Sequence, residues 1–321
     1  MADSPGLRIG KYEVLTRLAV GGMAELFLAF VTGPGGFRKY VAVKRILPHL
    51  RANQDFLRMF LDEARVSAMM SHSNIAQVFD LGQDGDSLYL VLEFVEGQDL
   101  AHVQRAAREN ERRLPIGFSC AAVRDLCLAM HYAHHFVSSS GTPAPVIHRD
   151  ISPRNVMETY SGSTKVIDFG ICKSRSTVEQ TDADKRKGSW GYMSPEQVRG
   201  TPLDGRSDLF AAGVVLYELL VGQRLFTATE DATFIYKLLN AEIPPPHQLA
   251  PDVSLEISNV VMKALSREPA DRWADGRALA DAIEAASGAA LFDEERRAVL
   301  MRELFASQIK RSEERRVGKE C

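Results

Sequence analysis

A chain of 321 residues is long enough to bury a large core, and 45% hydrophobic with 25% charged residues is the composition of a soluble globular protein. A net charge of −3 gives no drive toward a polyelectrolyte and argues against nucleic acid as a partner. Cys120, Cys127, Cys172 and Cys321 form no CxxC pair and have no histidine cluster beside them, so neither a zinc site nor a disulfide framework is indicated, and a reduced cytoplasmic compartment fits.

The opening stretch, MADSPGLRIG, has no apolar core and does not read as a signal peptide; residues 1–11 are expected to be a leader. Tyr12 to Ala29 predicts two strands meeting at Gly21-Gly22, and Thr32 to Gly36 (TGPGG) predicts a turn. A third strand is expected over Tyr40 to Ile46, with Ala42 and Lys44 on one face and Val41 and Val43 on the other. Gln54 to Met70 carries a helical stripe of Phe56, Met59, Phe60, Glu63, Val66, Ser67 and Met70. A carboxylate inside such a stripe is costly without a buried cation, so Glu63 predicts a partner, whereas Asp62 falls off the stripe. Ile75 to Leu81 and Leu88 to Phe94 predict two more strands, completing a small strand-rich lobe with one helix.

From Leu100 the pattern turns helical, interrupted by residues 146–196. Helices are expected over 116–137, 209–221, 255–265 and 276–286, with loops at Ser138 to Pro145 and Ile243 to Pro246. The most apolar run, Leu209 to Gly222, is shorter than a bilayer span and contains Glu218, so it reads as a buried helix and the chain shows no membrane span. Residues 289–310 predict one amphipathic helix. The last eleven residues, RSEERRVGKEC, match at every position the translation of a short-read sequencing-library adapter. A charged, solvated helix end is the competing reading. The adapter reading is preferred, which sets residues 311–321 aside from fold reasoning and leaves the natural continuation beyond Lys310 open, a C-terminal domain or membrane anchor included.

Within the interrupted segment stand His148-Arg149-Asp150, then Asn155, then Asp168-Phe169-Gly170. These residue types at these spacings form the polar core of a phosphoryl-transfer site: one carboxylate orients an attacking hydroxyl, and the amide and second carboxylate hold magnesium. Either triplet alone is weak; together, in this order, they are specific. From about Tyr12 to about Ala286 the chain resembles the eukaryotic-like serine/threonine protein kinases of bacteria. The resemblance implies an α+β fold of two lobes, a strand-rich N-lobe over about 12–94 with one key helix and a larger helical C-lobe over about 98–286. It also implies ATP and magnesium (or manganese) as cofactors, protein substrates bearing Ser or Thr, and self-association for autophosphorylation.

The resemblance assigns the site residue by residue. Leu18, Ala19, Val20, Gly21, Gly22, Met23, Ala24, Glu25 and Leu26 cover the nucleotide phosphates. Ala19 and Ala24 stand where the usual G-x-G-x-x-G has its first and third glycines; alanine lacks the freedom of glycine at positive φ but still permits close approach. Ala42 lies against adenine, and Lys44 contacts the α- and β-phosphates and pairs with Glu63. The Glu93 carbonyl and Val95 amide bond the adenine edge, Leu92 is the gatekeeper, and Leu18, Leu26 and Met157 sandwich the ring. Asp150 is the catalytic carboxylate, Asn155 and Asp168 are the metal ligands, and His148 packs structurally. The usual lysine two residues after the catalytic Asp is replaced by Ser152, and Arg154, placed as in tyrosine kinases, is expected to substitute.

The ending GSWGYMSPE resembles the peptide-docking ledge of protein kinases, with Arg272 as partner of Glu196. Asp208 is expected to cap the buried helix and bond back to the catalytic loop. Ser174, Ser176, Thr177 and Thr181, near Lys185, Arg186 and Lys187, suggest regulation by loop phosphorylation, a phosphate pairing with Arg149. Two other functions compete. The departures at Ala19, Ala24 and Ser152 motivate a scaffold module of pseudokinase type. The missing lysine motivates a small-molecule kinase, against which the ledge and Arg272 argue.

Overall fold

The computed structural model describes residues 7–169, 190–227 and 230–317, the side chains of Glu63, Asp231 and 311–317 excepted. Strands β1 (Arg8–Ile9), β2 (Tyr12–Val20), β3 (Ala24–Thr32), β4 (Arg38–Ile46), β5 (Val78–Asp84) and β6 (Ser87–Glu93) form an antiparallel sheet in the order β1-β2-β3-β4-β6-β5. Helix α1 (Gln54–Met69) begins at Asn53, whose Oδ1 accepts from the Phe56 amide at 3.0 Å. Strand pleating divides the lobe into two clusters. Val41 and Val43 pack with Ile9, Tyr12, Phe27 and Val91 on one face, while Ile46, Val78 and Leu90 meet Phe56 and Phe60 of α1 on the other.

The expected strands are present with two shifts. The sheet begins at Arg8, inside the expected leader, because Ile9 pairs with Tyr12 and is fully buried. The strand expected over Ile75 to Leu81 begins instead at Val78. Before it, the chain crosses to the other lobe, where Val166 donates to the Asn74 carbonyl (2.8 Å) and accepts from the Ala76 amide (2.9 Å).

The C-lobe is built around α5 (Arg206–Val221), every residue of which after the first is buried. It is surrounded by α2 (Leu100–Glu109), α3 (Ile116–His134), α4 (Pro195–Arg199), α6 (Asp231–Asn240), α7 (Pro246–Leu249), α8 (Leu255–Ala264) and α9 (Gly276–Ser287). A small sheet of β7 (Gly97–Asp99), β8 (Val156–Thr159) and β9 (Thr164–Val166) lies at the lobe junction. Its strands are too short to leave a periodic signal, so the sequence showed only an interruption there.

The tail differs from expectation. Helix α10 (Glu294–Val317) begins four residues after a 3-10 turn at Gly288–Ala290, and it buries Arg297, Ala298, Met301 and Phe305. Two glycines permit its approach: a Cβ on Gly162 would collide with the Glu294 carbonyl, and one on Gly117 with the Ala290 carbonyl. Among the described residues no helix is long and apolar enough to cross a membrane.

Candidate functional site

The cleft between the lobes is lined from the sheet side by β2, β3 and β4. Lys44 pairs in register with Leu26 and Leu90, and Ala42 with Leu28 and Leu92, so these residues share one face. The β2–β3 turn closes with the Gly21 amide donating to the Ala24 carbonyl at 2.8 Å. Leu18 and Val20 remain 43% and 52% exposed, as apolar side chains do on the roof of an open cleft. Two residues of this loop point elsewhere. Met23 packs into the α1-side cluster, and the Glu25 carboxylate is taken by Arg17 (3.2 Å) and Arg45 (3.0 Å). Glu25 and Met23 therefore reach this part of the cleft through their backbone alone.

Glu93 ends β6, and its carboxylate is held by Lys165 of β9 at 2.9 Å and by the Gln77 amide at 3.1 Å. Sequence reasoning missed this tie, which fixes the lobe connection ahead of the buried Val95. Met157 lies on β8 opposite Asp99 and Lys165, on the lower side of the cleft.

Across the cleft, the Lys44 ammonium meets the Asp168 carboxylate at 2.8 Å, a contact 124 residues apart in sequence. The expected partner, the Glu63 carboxylate, lies outside the described residues. The Asn155 amide nitrogen donates to both the Asp150 carbonyl (2.8 Å) and Asp150 Oδ2 (3.0 Å). His148 is fully buried, packs against Phe169 with ring centroids 4.7 Å apart and planes tilted by 41°, and accepts at Nδ1 from the Asp150 amide at 3.3 Å. That is a packing role, as expected.

Asp208 anchors the catalytic loop from beneath. Its carboxylate accepts from the His148 and Arg149 amides, both at 2.8 Å, and lies 2.7 Å from His134 Nε2. Burial alone raises this carboxyl's pKa, but the His134 hydrogen bond and the backbone donor outweigh it and hold Asp208 below the usual carboxylate range. The capping role expected of Asp208 is corrected. The α5 N-cap is Gly205, and it is the Asp204 carboxylate that accepts from the Arg206 amide at 2.9 Å. Asp208 is the third residue of the helix, in its first turn, and its side chain reaches the catalytic loop instead.

Beyond the cleft, Ser194 and Gln197 form a capping box at α4, and Gln197 donates to the Arg149 carbonyl at 3.0 Å. Arg272 grips Glu196 through both nitrogens at 2.6 and 2.7 Å, and Ser207 adds a donor at 2.6 Å. Burial pushes the Glu196 pKa up, but Arg272 and Ser207 bring it below the ordinary range. A second support escaped the sequence reading: the buried Tyr192 hydroxyl donates to Glu218 Oε2 at 2.7 Å. Burial raises the pKa of both groups. Glu218 was visible as a charge inside an apolar run, and that was the available signal. Ser152 is only 7% exposed, while Arg154 is exposed and its charge reaches Tyr192. Ser174, Ser176, Thr177, Thr181, Lys185, Arg186, Lys187 and Ser189 lie outside the described residues.

The sequence profile described as protein kinase domain matches residues 12–283. The chain is similar to the tyrosine-protein kinase MasK of Myxococcus xanthus, with 42% identity over 275 residues covering 86% of this chain and 43% of that protein. It is also similar to the probable serine/threonine-protein kinase PknB of Corynebacterium glutamicum, 35% identical over 273 residues, with 82% and 40% covered. Serine/threonine-protein kinase PrkC of Bacillus subtilis is 31% identical over 292 residues, with 91% and 43% covered. The chain thus spans about two fifths of the length of these curated relatives. Among solved structures, the PknI kinase domain of Mycobacterium tuberculosis superposes with a TM-score of 0.66 at 28% identity, covering 89% of this chain and all of that one.

Proposed function

The chain belongs to the protein kinase family, and we propose that it transfers the γ-phosphate of ATP to serine or threonine hydroxyls of proteins. The observation that carries this reading is the meeting of Lys44 from the sheet with Asp168 from the C-lobe at 2.8 Å, beside an Asp150 braced by Asn155 at 3.0 Å. A scaffold module has no need to keep these groups converged.

In this reading Lys44 holds the α- and β-phosphates, and the β2–β3 turn covers them with backbone amides. The Glu93 carbonyl and Val95 amide bond the adenine edge between Leu18, Leu26 and Met157. Asp150, fixed at Oδ2 by Asn155, orients the acceptor hydroxyl and takes its proton on the carboxylate. Asn155 and Asp168 fit a magnesium ion: with the Asn155 nitrogen spent on Asp150, the amide presents its oxygen, and Asp168 adds a second hard donor. When bound, magnesium neutralises charge on the phosphate oxygens. Glu196, Arg272, Tyr192 and Glu218 hold the ledge on which a peptide substrate docks. A phosphate on the loop hydroxyls between Asp168 and this ledge, paired with Arg149, would regulate access.

A tyrosine acceptor is the second reading. It is favoured by the name of the Myxococcus xanthus relative and by Arg154 standing two residues beyond Ser152. The names of the two other relatives favour serine and threonine. Incubation with labelled ATP and magnesium, against Asp150→Asn, followed by phosphoamino-acid analysis, decides among these. Label on Ser or Thr supports the proposal, and label confined to Tyr transfers it to the second reading. Incorporation equal to that of Asp150→Asn leaves only a binding module.

A further inference from the structure

The last turn of α3 and the first residue before α9 bring together three metal-ligating side chains that the phosphoryl-transfer site does not use. His131 is in the last turn of α3, His135 four residues on is its C-cap, and Asp275 is the N-cap of α9. One ligand atom from each lies within 4.8 Å of the others. The i, i+4 spacing of His131 and His135 is visible in the sequence, but the third member is not, because Asp275 is 140 residues beyond His135 and no cysteine joins the set.

Three details of geometry separate this cluster from an ordinary polar surface. First, His131 Nδ1 is buried and has no hydrogen-bond partner, a costly arrangement for a ring nitrogen. Second, its nearest carboxylate oxygen, Asp275 Oδ1, lies at 3.5 Å. That is long for a hydrogen bond, yet close to the ~3.3 Å between two ligands of a tetrahedral ion with bonds of about 2.0–2.1 Å. Third, His135 Nδ1 lies 2.9 Å from the His131 carbonyl, so it carries the proton and leaves Nε2 with its lone pair available. The two rings are tilted by 39° to one another, 4.3 Å between centroids.

A cavity of about 420 Å³ reaches His135 and Asp275, two of the three side chains; its wall also carries His134, Asp204 and the guanidinium-bearing Arg206. It leaves room for water in a fourth position. We propose that His131, His135 and Asp275 bind one divalent transition-metal ion of the zinc class, with water completing a four-coordinate shell. Two imidazoles and one carboxylate suit zinc, cobalt or nickel and disfavour magnesium, which demands oxygen ligands. The ion ties α3 to α9. His134, between the two ligand histidines, is the residue that holds Asp208 at 2.7 Å, so the tie lies one residue from the support of the catalytic loop.

The test uses the full chain stripped by a chelator and returned to excess magnesium, which fills the oxygen sites. Zinc is titrated by equilibrium dialysis and counted by mass spectrometry; cobalt is followed by its visible d–d absorption. The expected result is one zinc per chain, a cobalt spectrum of four- or five-coordinate nitrogen/oxygen ligation, and a rise in Tm with zinc. His135→Ala alters an exposed side chain, and Asp275→Asn keeps the Oδ1 that caps α9 while removing the negative charge that a zinc-class ion needs from it. Each should weaken zinc binding by at least about tenfold and abolish both the cobalt band and the Tm shift. A wild-type chain that retains no zinc, or variants that bind it as tightly as wild type, would overturn the proposal.

Discussion

Arg149 and Asp168 both hold positive φ, 66° and 53°, a conformation that costs a non-glycine residue about 1–3 kcal/mol. The first is sustained because Asp208 takes the amides of His148 and Arg149. With the loop so fixed, the charges in the cleft should act independently of folding. Lys44→Met is expected to cut label transfer by more than tenfold while circular dichroism and Tm stay at wild type, and Glu63→Gln is expected to do the same. A wild-type rate in either variant removes that group from the mechanism. Arg154 is the exposed cation nearest in sequence to the missing lysine. Losing a cation that stabilises the transferring phosphoryl typically costs on the order of 2–4 kcal/mol, or roughly 30- to 1000-fold in rate. Arg154→Ala should therefore lower kcat by that order with little change in the KM for ATP, and a variant within about threefold of wild type would place the compensating charge elsewhere. At this scale the motif spacing was the legible part: Lys44 meets Asp168 and Asn155 meets Asp150, while the pair expected between Lys44 and Glu63 lies outside the described residues. Glu25 was not legible, because its arginine partners, Arg17 and Arg45, are strand neighbours that no motif names.

Among the elements, α10 shows why a helix's role can hide in its composition. Its stripe reads as amphipathic, but its largest fully buried side chain is an arginine, Arg297, only 1% exposed. Its Nη1 lies 2.9 Å from Asp125 Oδ2, 2.9 Å from Thr164 Oγ1 and 3.4 Å from Glu158 Oε1. No periodicity rule places a charge in a core, so the docking of this helix against β8 and α3 could not be read from sequence. Removing one partner of a buried ion cluster leaves uncompensated charge, and Arg297→Ala should cost about 3–5 kcal/mol, measured by denaturant unfolding. Glu158 adds a pH signature. Burial pushes its carboxyl from 4.5 up to about 7, against the pull of Arg297 and Thr164. The folded chain thus binds a proton that the unfolded chain has released across that interval, so this group's contribution to stability falls as pH rises from about 4.5 to about 7. Glu158→Gln cannot titrate and should flatten that part of the stability–pH curve. An unchanged slope would show that Glu158 enters the fold already ionised.

For the molecule as a whole, the question is where the folded unit ends. The family profile stops at residue 283, and the resemblance read from the sequence stops at about Ala286. Physical burial does not stop there. Met301 and Phe305 are core residues of the C-lobe, and each such side chain contributes about 1.5–3 kcal/mol when buried. The Phe292 amide donates to the Gly117 carbonyl at 3.2 Å, closing the tail against α3 before α10 starts. A chain ending at residue 290 loses both apolar anchors and takes Arg297 away from Glu158 and from Asp125, which keeps Arg124 at 2.7 Å. The sum is a large share of the roughly 5–15 kcal/mol that separates folded from unfolded states. Such a chain should be insoluble or melt more than about 10 °C below the chain ending at residue 310, as followed by differential scanning fluorimetry. The chain ending at 310 should in turn match the 321-residue chain in both Tm and label transfer, because the segment after Lys310 reads as adapter-derived sequence. Equal melting of the 290 and 310 chains would mean that α10 rests on the C-lobe without stabilising it. A lower Tm for the 310 chain than for the full one would mean that residues 311–321 take part in the fold and that the adapter reading fails.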